Sequence, residues 1–526
     1  MRSSAVIRLL LALALLAGML AGCGAATPAA TATPAATSAP TATTAPTATP
    51  TATEAAAPTE TATAAVAATV EPTAEGTTAG GGLVGHWEGA IKIEGAELII
   101  VLDFEEAGPG YWGTMDVPQQ SAADIPLANI MYDTPVVLFE AFSGDRLATF
   151  DGEIASDGTA MSGRFTQAGY EGTFEVKRVA VAEEEAKPYV EEEVTFSSAG
   201  ATLAGTLSIP EGDGPFPAVV LISGSGQQSR DEEVFGFKVF SALADHLTRN
   251  GIAVLRYDDR GIGGSTGDLE HATSEDFASD TLAAVQFLRG RAEVAPKAIG
   301  LIGHSEGGII APMVANQSED VAFVVLLAGP ATPGAQVIQE QTRLILAANG
   351  ASEEDIAVAA TQQAEMMDQV RSGEGWEEYQ ANLEQETRAT VEALPTEERG
   401  QLGDVDEFVT KAIEGQLAAL RSPWFQFFVT YDPIPALHQL GVPVLAVYGA
   451  KDLQVPAESN APAMQAALEQ GATADFRVES VPDANHLFQQ ADTGSPNEYA
   501  TLPKEFAPGF LDLVTGWITE HAQAGG

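Results

Sequence analysis

The chain has a single cysteine and very little positive charge. Of its 526 residues, 25 are lysine or arginine and 73 are aspartate or glutamate, so the formal net charge is −48 at pH 7. One cysteine excludes an intramolecular disulfide and a zinc site built from cysteines. The acidic excess argues against nucleic acid as a partner, because lysine and arginine neutralise phosphates, and against electrostatic docking on anionic lipid. The length predicts more than one domain.

The cysteine follows a short apolar segment at the N-terminus. Residues 1–22 begin with basic side chains and continue into an apolar run, which is typical of an export signal and too short for a transmembrane helix. The last residues, Leu-Ala-Gly followed by Cys23, resemble a bacterial lipoprotein box, whose cysteine is acylated. We therefore expect an exported protein that a lipid on Cys23 anchors to the outer face of the cytoplasmic membrane or elsewhere in the cell envelope. An ordinary signal peptide with an incidental Cys23 is the alternative.

Residues 23–82 contain no aromatic side chain and consist mainly of alanine, threonine and proline. Such a segment cannot bury enough apolar surface to offset the entropy of ordering its backbone. Proline-rich linkers also favour extended conformations. We predict a disordered tether that holds the folded part of the chain away from the membrane.

Residues 83–180 alternate short apolar runs with glycine-rich turns. Regular short strands separated by such turns predict a small all-β domain, either an antiparallel barrel or a sandwich. The clearest predicted strands are 98–104, 136–142, 148–154 and 170–176. Trp87 and Trp112 could line a ligand cleft, but we expect both to pack in the core of this domain.

An acidic run over residues 183–193, which we interpret as a solvated linker, leads into a region where predicted strands and helices alternate. This alternation indicates an α/β fold with a largely parallel sheet covered by helices on both faces. We assign the two parts of this core to residues 190–334 and 423–526. Residues 335–422, between them, carry four helical patterns and are predicted to form a helical cap.

Two serines, Ser265 and Ser305, lie in a G-x-S-x-G motif. Such a motif presents its serine at a sheet edge only where a buried strand runs directly into the turn and a helix follows. Ser305 follows the apolar run 298–302 and precedes an apolar helical pattern, whereas Ser265 lies between two loops. We predict Ser305 to be a nucleophile.

A serine hydroxyl is a weak nucleophile and needs a histidine as base. In the chain order expected for this motif the histidine follows the serine, which leaves His438, His486 and His521 as candidates. His438 lies in a helix before a strand, and His521 lies in the frayed C-terminal tail. His486 lies in a loop after a strand, at the edge where sites in α/β sheets gather, and we predict it to be the base.

The carboxylate that orients the histidine should also follow a strand. Asp452 does so, whereas Asp432 precedes that strand and Asp483 lies too close in sequence to His486 to orient its ring. We predict Asp452 to be the acid of the triad.

An oxyanion hole needs two backbone N–H groups aimed at the developing negative charge. We expect one from Glu306, the residue after the nucleophile, and one from the glycine-rich loop 223–227. Within that loop we choose Ser225, with its two neighbouring glycines as alternatives.

These motifs together resemble the α/β-hydrolase superfamily, in particular its bacterial two-domain esterases, which carry a β domain ahead of the hydrolase. The matching stretches are 223–226, 257–263, 303–308, 452–456 and 485–486. The resemblance implies hydrolysis of small-molecule carboxylic esters with Ser305, Asp452 and His486 as the triad, a cap over the site, and neither cofactor nor metal. The oxyanion loop lacks the His-Gly pair of lipases, so short-chain esters are expected rather than bulky lipids.

Two other functions stay open at this stage. Serine aminopeptidase-like relatives share the triad, and they would need an acidic pocket for the substrate's amino group, for which Glu232, Glu233 or carboxylates of the cap are candidates. A tethered binding protein on a hydrolase scaffold is the other alternative, although an intact triad argues against it. The aromatic run 424–428 could line an acyl pocket, but packing of the cap on the core is the interpretation we favour.

Overall fold

The computed structural model describes residues 82–93, 96–107, 110–117, 122–143, 146–167, 170–179, 187–396, 399, 402 and 404–523. The predicted export signal, Cys23 and the predicted tether lie outside this part of the chain. Among the described residues, no helix is long and apolar enough to cross a membrane.

The first described region is a closed antiparallel barrel, not a sandwich. Each strand pairs with the next, and β1 pairs with β8 to complete the ring. The strands are β1 (Gly85–Ile93), β2 (Ala96–Ala107), β3 (Gly110–Val117), β4 (Ala122–Asp133), β5 (Val136–Ser143), β6 (Arg146–Ile154), β7 (Ala160–Gln167) and β8 (Tyr170–Val179). Closure leaves no edge strand on which another chain could pair.

Aromatic rings fill the barrel. Phe139 stacks on Phe150 with ring centroids 4.5 Å apart, and Phe174 meets Phe150 edge to face at 5.3 Å. Trp87 is also buried and donates its Nε1–H to the carbonyl of Leu83, as a buried tryptophan usually requires.

The prediction that both tryptophans pack in the core is wrong for Trp112. Its side chain is 49% exposed, whereas its neighbour Gly113 on β3 is buried. Side chains alternate between the two faces of a strand, so the register of β3 turns Trp112 outward. The adjacent aromatic residues Tyr111 and Trp112 leave open which of the two side chains points into the barrel.

The second region is an eight-stranded sheet with the order β18-β17-β16-β15-β11-β14-β10-β9. Its strands are β9 (Tyr189–Ser198), β10 (Ala201–Pro210), β11 (Phe216–Ile222), β14 (Ala253–Tyr257), β15 (Val294–His304), β16 (Phe323–Leu327), β17 (Val444–Gly449) and β18 (Phe476–Val481); a two-stranded hairpin, β12 (Glu233–Val234) and β13 (Phe237–Lys238), lies outside it. In this spatial order, the six strands from β18 to β14 are all parallel to their neighbours. The last two strands, β10 and β9, pair antiparallel at one edge of the sheet. The predicted α/β fold is confirmed.

The acidic run near residue 190 is not a solvated linker over its whole length. Residues 191–193 lie in β9, which pairs with β10 along the sheet edge. Their three carboxylates accept hydrogen bonds from Arg256, Arg291 and Arg230 at 2.9, 2.6 and 2.5 Å respectively. These cations come from distant parts of the chain, so the local charge pattern could not reveal them. Residues 181–186 lie outside the described residues.

Helices cover both faces of the sheet and form the cap. They are α1 (Val239–Arg249), α2 (Ser274–Arg289), α3 (Gly307–Ala315), α4 (Gly334–Ala348), α5 (Glu353–Ser372), α6 (Trp376–Glu392), α7 (Val405–Arg421), α8 (Pro423–Thr430), α9 (Ile434–Gln439), α10 (Ala457–Gln470) and α11 (Phe510–Gln523), with a 3-10 helix at Pro496–Thr501. The cap helices α4 to α7 pack with α8, and together they bury Met366, Met367 and Phe425 and reach Ile309 of α3, which begins two residues after the candidate nucleophile.

The sequence suggested that His521 lies in a frayed tail, but it does not. It lies within α11, where its ring stacks on Trp517 with centroids 3.9 Å apart and its Nδ1 lies 2.7 Å from the Trp517 carbonyl. His438 lies in α9, as predicted. Neither of these two histidines is among the described residues that line the cavity at Ser305, and His486 is not among them either.

Candidate active site

Ser305 lies in a tight turn between β15 and α3. Its φ of 52° is left-handed, which is strained for a residue with a side chain. The turn depends on glycine, because a Cβ atom on Gly303 would lie 2.0 Å from the Gly307 carbonyl oxygen and one on Gly307 would lie 2.2 Å from the Ile222 oxygen. The Ser305 N–H donates to the Leu327 carbonyl at 2.8 Å. This geometry lifts the serine side chain out of the strand direction.

The other serine in a G-x-S-x-G motif has a structural role. Ser265 is buried; its Oγ donates to the Asp258 carbonyl at 2.8 Å and accepts from the Ala204 N–H at 2.9 Å. Because its proton is donated to a backbone carbonyl and its side chain is buried, this hydroxyl is not available as a nucleophile.

Asp452 and His486 meet at the carboxyl edge of the sheet, each in a loop that follows a strand. The Asp452 Oδ2 and His486 Nδ1 atoms are 2.7 Å apart, and the two residues are 3% and 1% exposed. The Asp452 Oδ1 atom accepts the N–H groups of Gln454 and Val455 at 2.7 and 2.9 Å. Because this oxygen is already occupied, the other is held toward the imidazole.

The loop that carries His486 is shaped by the residue before it. The Asn485 side-chain oxygen accepts the N–H groups of Leu487 and Gln489 at 3.0 and 2.9 Å. Such a side-chain turn is the usual role of asparagine in a tight loop. It determines the direction in which the His486 ring leaves the backbone.

Within the described residues, no hydrogen bond joins Ser305 Oγ to His486. Hydrogen bonds between a nucleophile and its base are often long before substrate binds and shorten in the reactive complex. The structure therefore brings Asp452 and His486 into direct contact, while the step from His486 to Ser305 remains a prediction.

The predicted oxyanion donors face one cavity with the nucleophile. Ser225, Ser305 and Glu306 all line it, and no protein acceptor in the described part of the chain takes the N–H of Ser225 or Glu306. Gly224, one of the alternatives to Ser225, donates its N–H to Glu232 Oε1 at 2.7 Å and is therefore engaged. This favours Ser225 over Gly224.

The cavity is small, about 40 Å³, and the cap closes it. Its lining comprises Ser225, Ser305, Glu306, Pro330, Val337, Ile338, Gln341, Trp424, Phe425, Phe428, Gln454 and Val455. Trp424 stacks on Phe428 at 5.5 Å, so the aromatic run both packs the cap and lines the cavity.

Glu306 also connects the nucleophile turn to the cap through its side chain. Both carboxylate oxygens lie 2.9 Å from Trp424 Nε1, and Ser274 Oγ donates to Oε1 at 2.6 Å. Burial raises the pKa of Glu306, against the opposing effect of these hydrogen bonds. The sequence pointed to the backbone of Glu306 and missed its side chain.

A turn that exposes a serine after a parallel strand, in a sheet of this topology, is the hallmark of one family. The family model for the alpha/beta hydrolase family matches residues 219–501. The chain belongs to the α/β-hydrolase family.

Several relatives of this α/β hydrolase are known. Esterase EstD of Thermotoga maritima is 28% identical over 327 residues, which cover 61% of this chain and 68% of that protein. An uncharacterized protein of Mycobacterium tuberculosis is 32% identical over 139 residues, or 26% of this chain and 44% of that protein.

Solved structures also match the hydrolase. Est1E from Butyrivibrio proteoclasticus, bound to ferulic acid, covers 63% of this chain and 98% of its own, with a TM-score of 0.35 and 18% identity. The Pyrococcus furiosus esterase Pf2001 covers 66% of this chain and 96% of its own, with a TM-score of 0.39 and 14% identity.

The acidic candidates for an amino-group pocket in the hydrolase do not line the cavity. Glu232 is 0% exposed and contacts His304, and Glu233 lies 3.8 Å from Lys238 in an ion pair. Among the described lining residues, Glu306 is the one carboxylate, and its oxygens are engaged by Ser274 and Trp424. No described group of three or more His, Cys, Asp or Glu side chains is arranged to hold a metal ion.

Sequence reasoning missed two buried titratable residues beside the candidate triad. His304, directly before the nucleophile, is 0% exposed. Asp259 is buried as well and accepts a hydrogen bond from Ser223 Oγ at 2.9 Å; burial raises its pKa well above the usual range. The position of His304 inside the motif was a signal, whereas nothing local marked Asp259 as buried.

Proposed function

We propose that the protein is a serine hydrolase that cleaves carboxylic esters through an acyl-enzyme. The observation that carries this proposal is the Asp452–His486 contact of 2.7 Å at the same sheet edge as Ser305, which lies in a left-handed turn. The similarity to an esterase of Thermotoga maritima supports the ester bond as the target.

In the proposed mechanism, His486 accepts the proton of Ser305 Oγ as Oγ attacks the ester carbonyl carbon. The N–H groups of Ser225 and Glu306 stabilise the negative charge on the carbonyl oxygen. His486 then protonates the leaving alcohol, and a water molecule, activated in the same way, hydrolyses the acyl-enzyme. Asp452 accepts the Nδ1–H of His486 and holds the imidazole in the required tautomer and orientation.

We further propose that short-chain acyl groups are preferred. The cavity at Ser305 has a volume of about 40 Å³, and Trp424, Phe425 and Phe428 close it. An acyl chain small enough for this volume would leave the lining side chains in place. A longer chain would have to move the aromatic side chains of α8. Turnover should therefore fall as the acyl chain lengthens.

The test is to assay the full-length protein on p-nitrophenyl acetate, butyrate and palmitate, beside alanine and proline p-nitroanilides. We expect turnover of acetate and butyrate, little turnover of palmitate, and loss of turnover in Ser305→Ala. Full ester turnover by Ser305→Ala would contradict the proposed mechanism. Anilide cleavage without ester cleavage would instead identify a peptidase. If both substrate classes are inert and a fluorophosphonate probe does not label Ser305, the protein is a binding protein.

We also propose that Cys23 carries a lipid anchor in the cell envelope. The proposal is supported by the Leu-Ala-Gly-Cys sequence at the end of the export signal. Labelled palmitate should be incorporated into the wild-type protein and not into Cys23→Ala, and the wild type alone should partition into detergent. Equal partitioning of the two proteins would contradict the anchor.

A further inference from the structure

A second histidine–carboxylate pair lies behind the candidate triad. His304 Nδ1 is 2.9 Å from Glu232 Oε1, and His304 Nε2 is 2.9 Å from the backbone carbonyl of His486. Both side chains of the pair are fully buried. The His304 and His486 rings are also close, with centroids 4.7 Å apart.

Hydrogen-bond donors and acceptors constrain the proton positions in this pair. A carbonyl only accepts, so His304 Nε2 must donate to His486. The Glu232 Oε1 atom also accepts the N–H of Gly224 at 2.7 Å. With a carboxylate at Glu232, His304 must donate from both ring nitrogens, which makes it an imidazolium.

The electrostatic surroundings favour the same form. Burial acts to lower the pKa of His304, but the charge of Glu232, the hydrogen bonds to Glu232 and His486, and the charge of Asp452 together raise it. The titratable groups that surround His304 are thus Glu232, Asp452 and His486, whose ring packs on that of His304, while Asp259 interacts electrostatically with Glu232.

The contacts of the pair reach three separate catalytic elements. His304 is the residue before Ser305, its ring donates to the His486 backbone, and Glu232 binds the loop that carries Ser225. The other carboxylate oxygen, Glu232 Oε2, is buried without a hydrogen-bond partner in the described part of the chain. A half-satisfied buried carboxylate is costly, so its presence calls for a reason other than stability.

We propose that His304 and Glu232 form a positioning pair that aligns the nucleophile turn, the His486 loop and the oxyanion loop with one another. This inference rests on the proposed function of Ser305 and His486. The pair does not touch the reacting atoms; it acts through the backbone of His486 and of Gly224.

Glu232→Gln tests the pair with a nearly isosteric change. A glutamine brings no proton to share, so a neutral His304 has one N–H for two acceptors, the glutamine oxygen and the His486 carbonyl. If the amide flips to donate to His304, the Gly224 N–H loses its acceptor. In either arrangement one of the three hydrogen bonds is lost, and a catalytic element is released.

We expect Glu232→Gln to lower kcat for p-nitrophenyl butyrate by about 10- to 100-fold with KM changed less than about threefold, because misalignment affects the transition state more than binding. Glu233→Gln is the matched control, since this neighbour is partly exposed and its carboxylate lies 3.8 Å from Lys238. A kcat of Glu232→Gln within twofold of the wild type would overturn the proposal.

A measurement on a protein with an intact site keeps the proposal testable if Glu232→Gln does not fold. In ¹⁵N-histidine NMR of full-length His86→Asn at pH 8, one imidazole should have both ring nitrogens protonated. His86 is removed because its carboxylate neighbours raise its own pKa, although partial burial opposes them. A spectrum in which every ring carries a single N–H would contradict the pair.

The two proposals fail in distinguishable ways. Activity in Ser305→Ala would refute the proposed function itself. Loss of activity in Ser305→Ala, together with an unchanged kcat in Glu232→Gln, would leave the hydrolase in place and refute only the positioning pair.

Discussion

The barrel and the α/β sheet both bury large apolar cores, but they differ in what else they bury. Among the described barrel residues, Thr114 is the one buried polar side chain. The carboxyl edge of the α/β sheet buries several ionisable side chains, including Asp259, His304, Glu306, Asp452 and His486. Burying such groups costs free energy unless they are paired, so they accumulate where chemistry requires them.

Within the α/β region, some buried charged side chains have an oppositely charged partner and others do not. Arg260 and Asp280 form a bidentate ion pair, with both nitrogen–oxygen distances at 2.8 Å, and each charge is matched. Glu306 and Asp259 have no basic partner in the described residues, and burial raises the pKa of both. Glu306 directly follows the candidate nucleophile in the chain, and Asp259 accepts hydrogen bonds from Ser223 and Gln228 at either end of the candidate oxyanion loop.

Among the predicted effects, the largest should be the loss of kcat when the proposed triad acid, Asp452, is changed. Asp452→Asn keeps an oxygen for the Gln454 and Val455 N–H groups but presents an amide to His486, which favours the wrong tautomer. We expect kcat to fall on the order of 10⁴-fold with little change in thermal stability. Asp483→Asn, which removes an exposed partner of Lys451, is the matched control and should keep normal kcat. Comparable losses in both variants would argue against Asp452 as the acid.

Removing core volume from the barrel should lower stability and leave ester turnover unchanged, the reverse of the effect expected for Asp452→Asn. Phe150→Ala deletes a fully buried ring that contacts Phe139, Phe165 and Phe174. We expect the barrel to lose about 3–5 kcal/mol of stability, because a cavity replaces the ring. Calorimetry of the full chain should show a lower first transition, while ester turnover at 25 °C stays normal. A parallel loss of turnover would show that the barrel supports the active site.

Glu306→Gln should change how stability depends on pH. The folded-state pKa of Glu306 is raised, so its stabilising effect is complete below the unfolded-state pKa and is lost as pH rises through the folded-state value. Replacing the group with an uncharged amide removes that loss. The difference in unfolding free energy between Glu306→Gln and the wild type should therefore move in favour of the variant from pH 4 to pH 8. Denaturant titrations at both pH values measure it, and a constant difference would contradict the assignment.

The smallest effect should come from the barrel surface. Trp112 is 49% exposed on the outer face of β3, so Trp112→Ser should change the stability of the barrel by less than about 1 kcal/mol. The transition temperature by calorimetry measures this directly. A large drop would indicate that another part of the protein covers Trp112.

The α/β fold and the placement of the candidate site were predictable because the signals were local. A strand, a glycine-bounded serine and a helix follow one another around Ser305 in the sequence, and the same rule located loops after strands for Asp452 and His486. The structure brings the latter two into contact at 2.7 Å.

What the sequence missed depends on partners far apart in the chain. Residues 191–193 appear solvated until β9 places them beside arginines from three other segments. His304 and Glu232 are 72 residues apart, and no periodicity links them. The exposure of Trp112 depends on the barrel register, which the apolar pattern does not specify.

Glu306 has two tasks in the proposed mechanism: its N–H is the proposed oxyanion donor, and its carboxylate accepts a hydrogen bond from Trp424 of α8. A mutation at this position would alter the accepted acyl group and the turnover rate together. Selection for a new acyl preference would therefore tend to lower the rate, and selection for rate would constrain the acyl preference. Directed evolution of substrate range should therefore start at Ile338 and Phe428, which line the cavity without contributing a hydrogen bond there. Libraries that leave residue 306 unchanged should yield more active variants than libraries that randomise it.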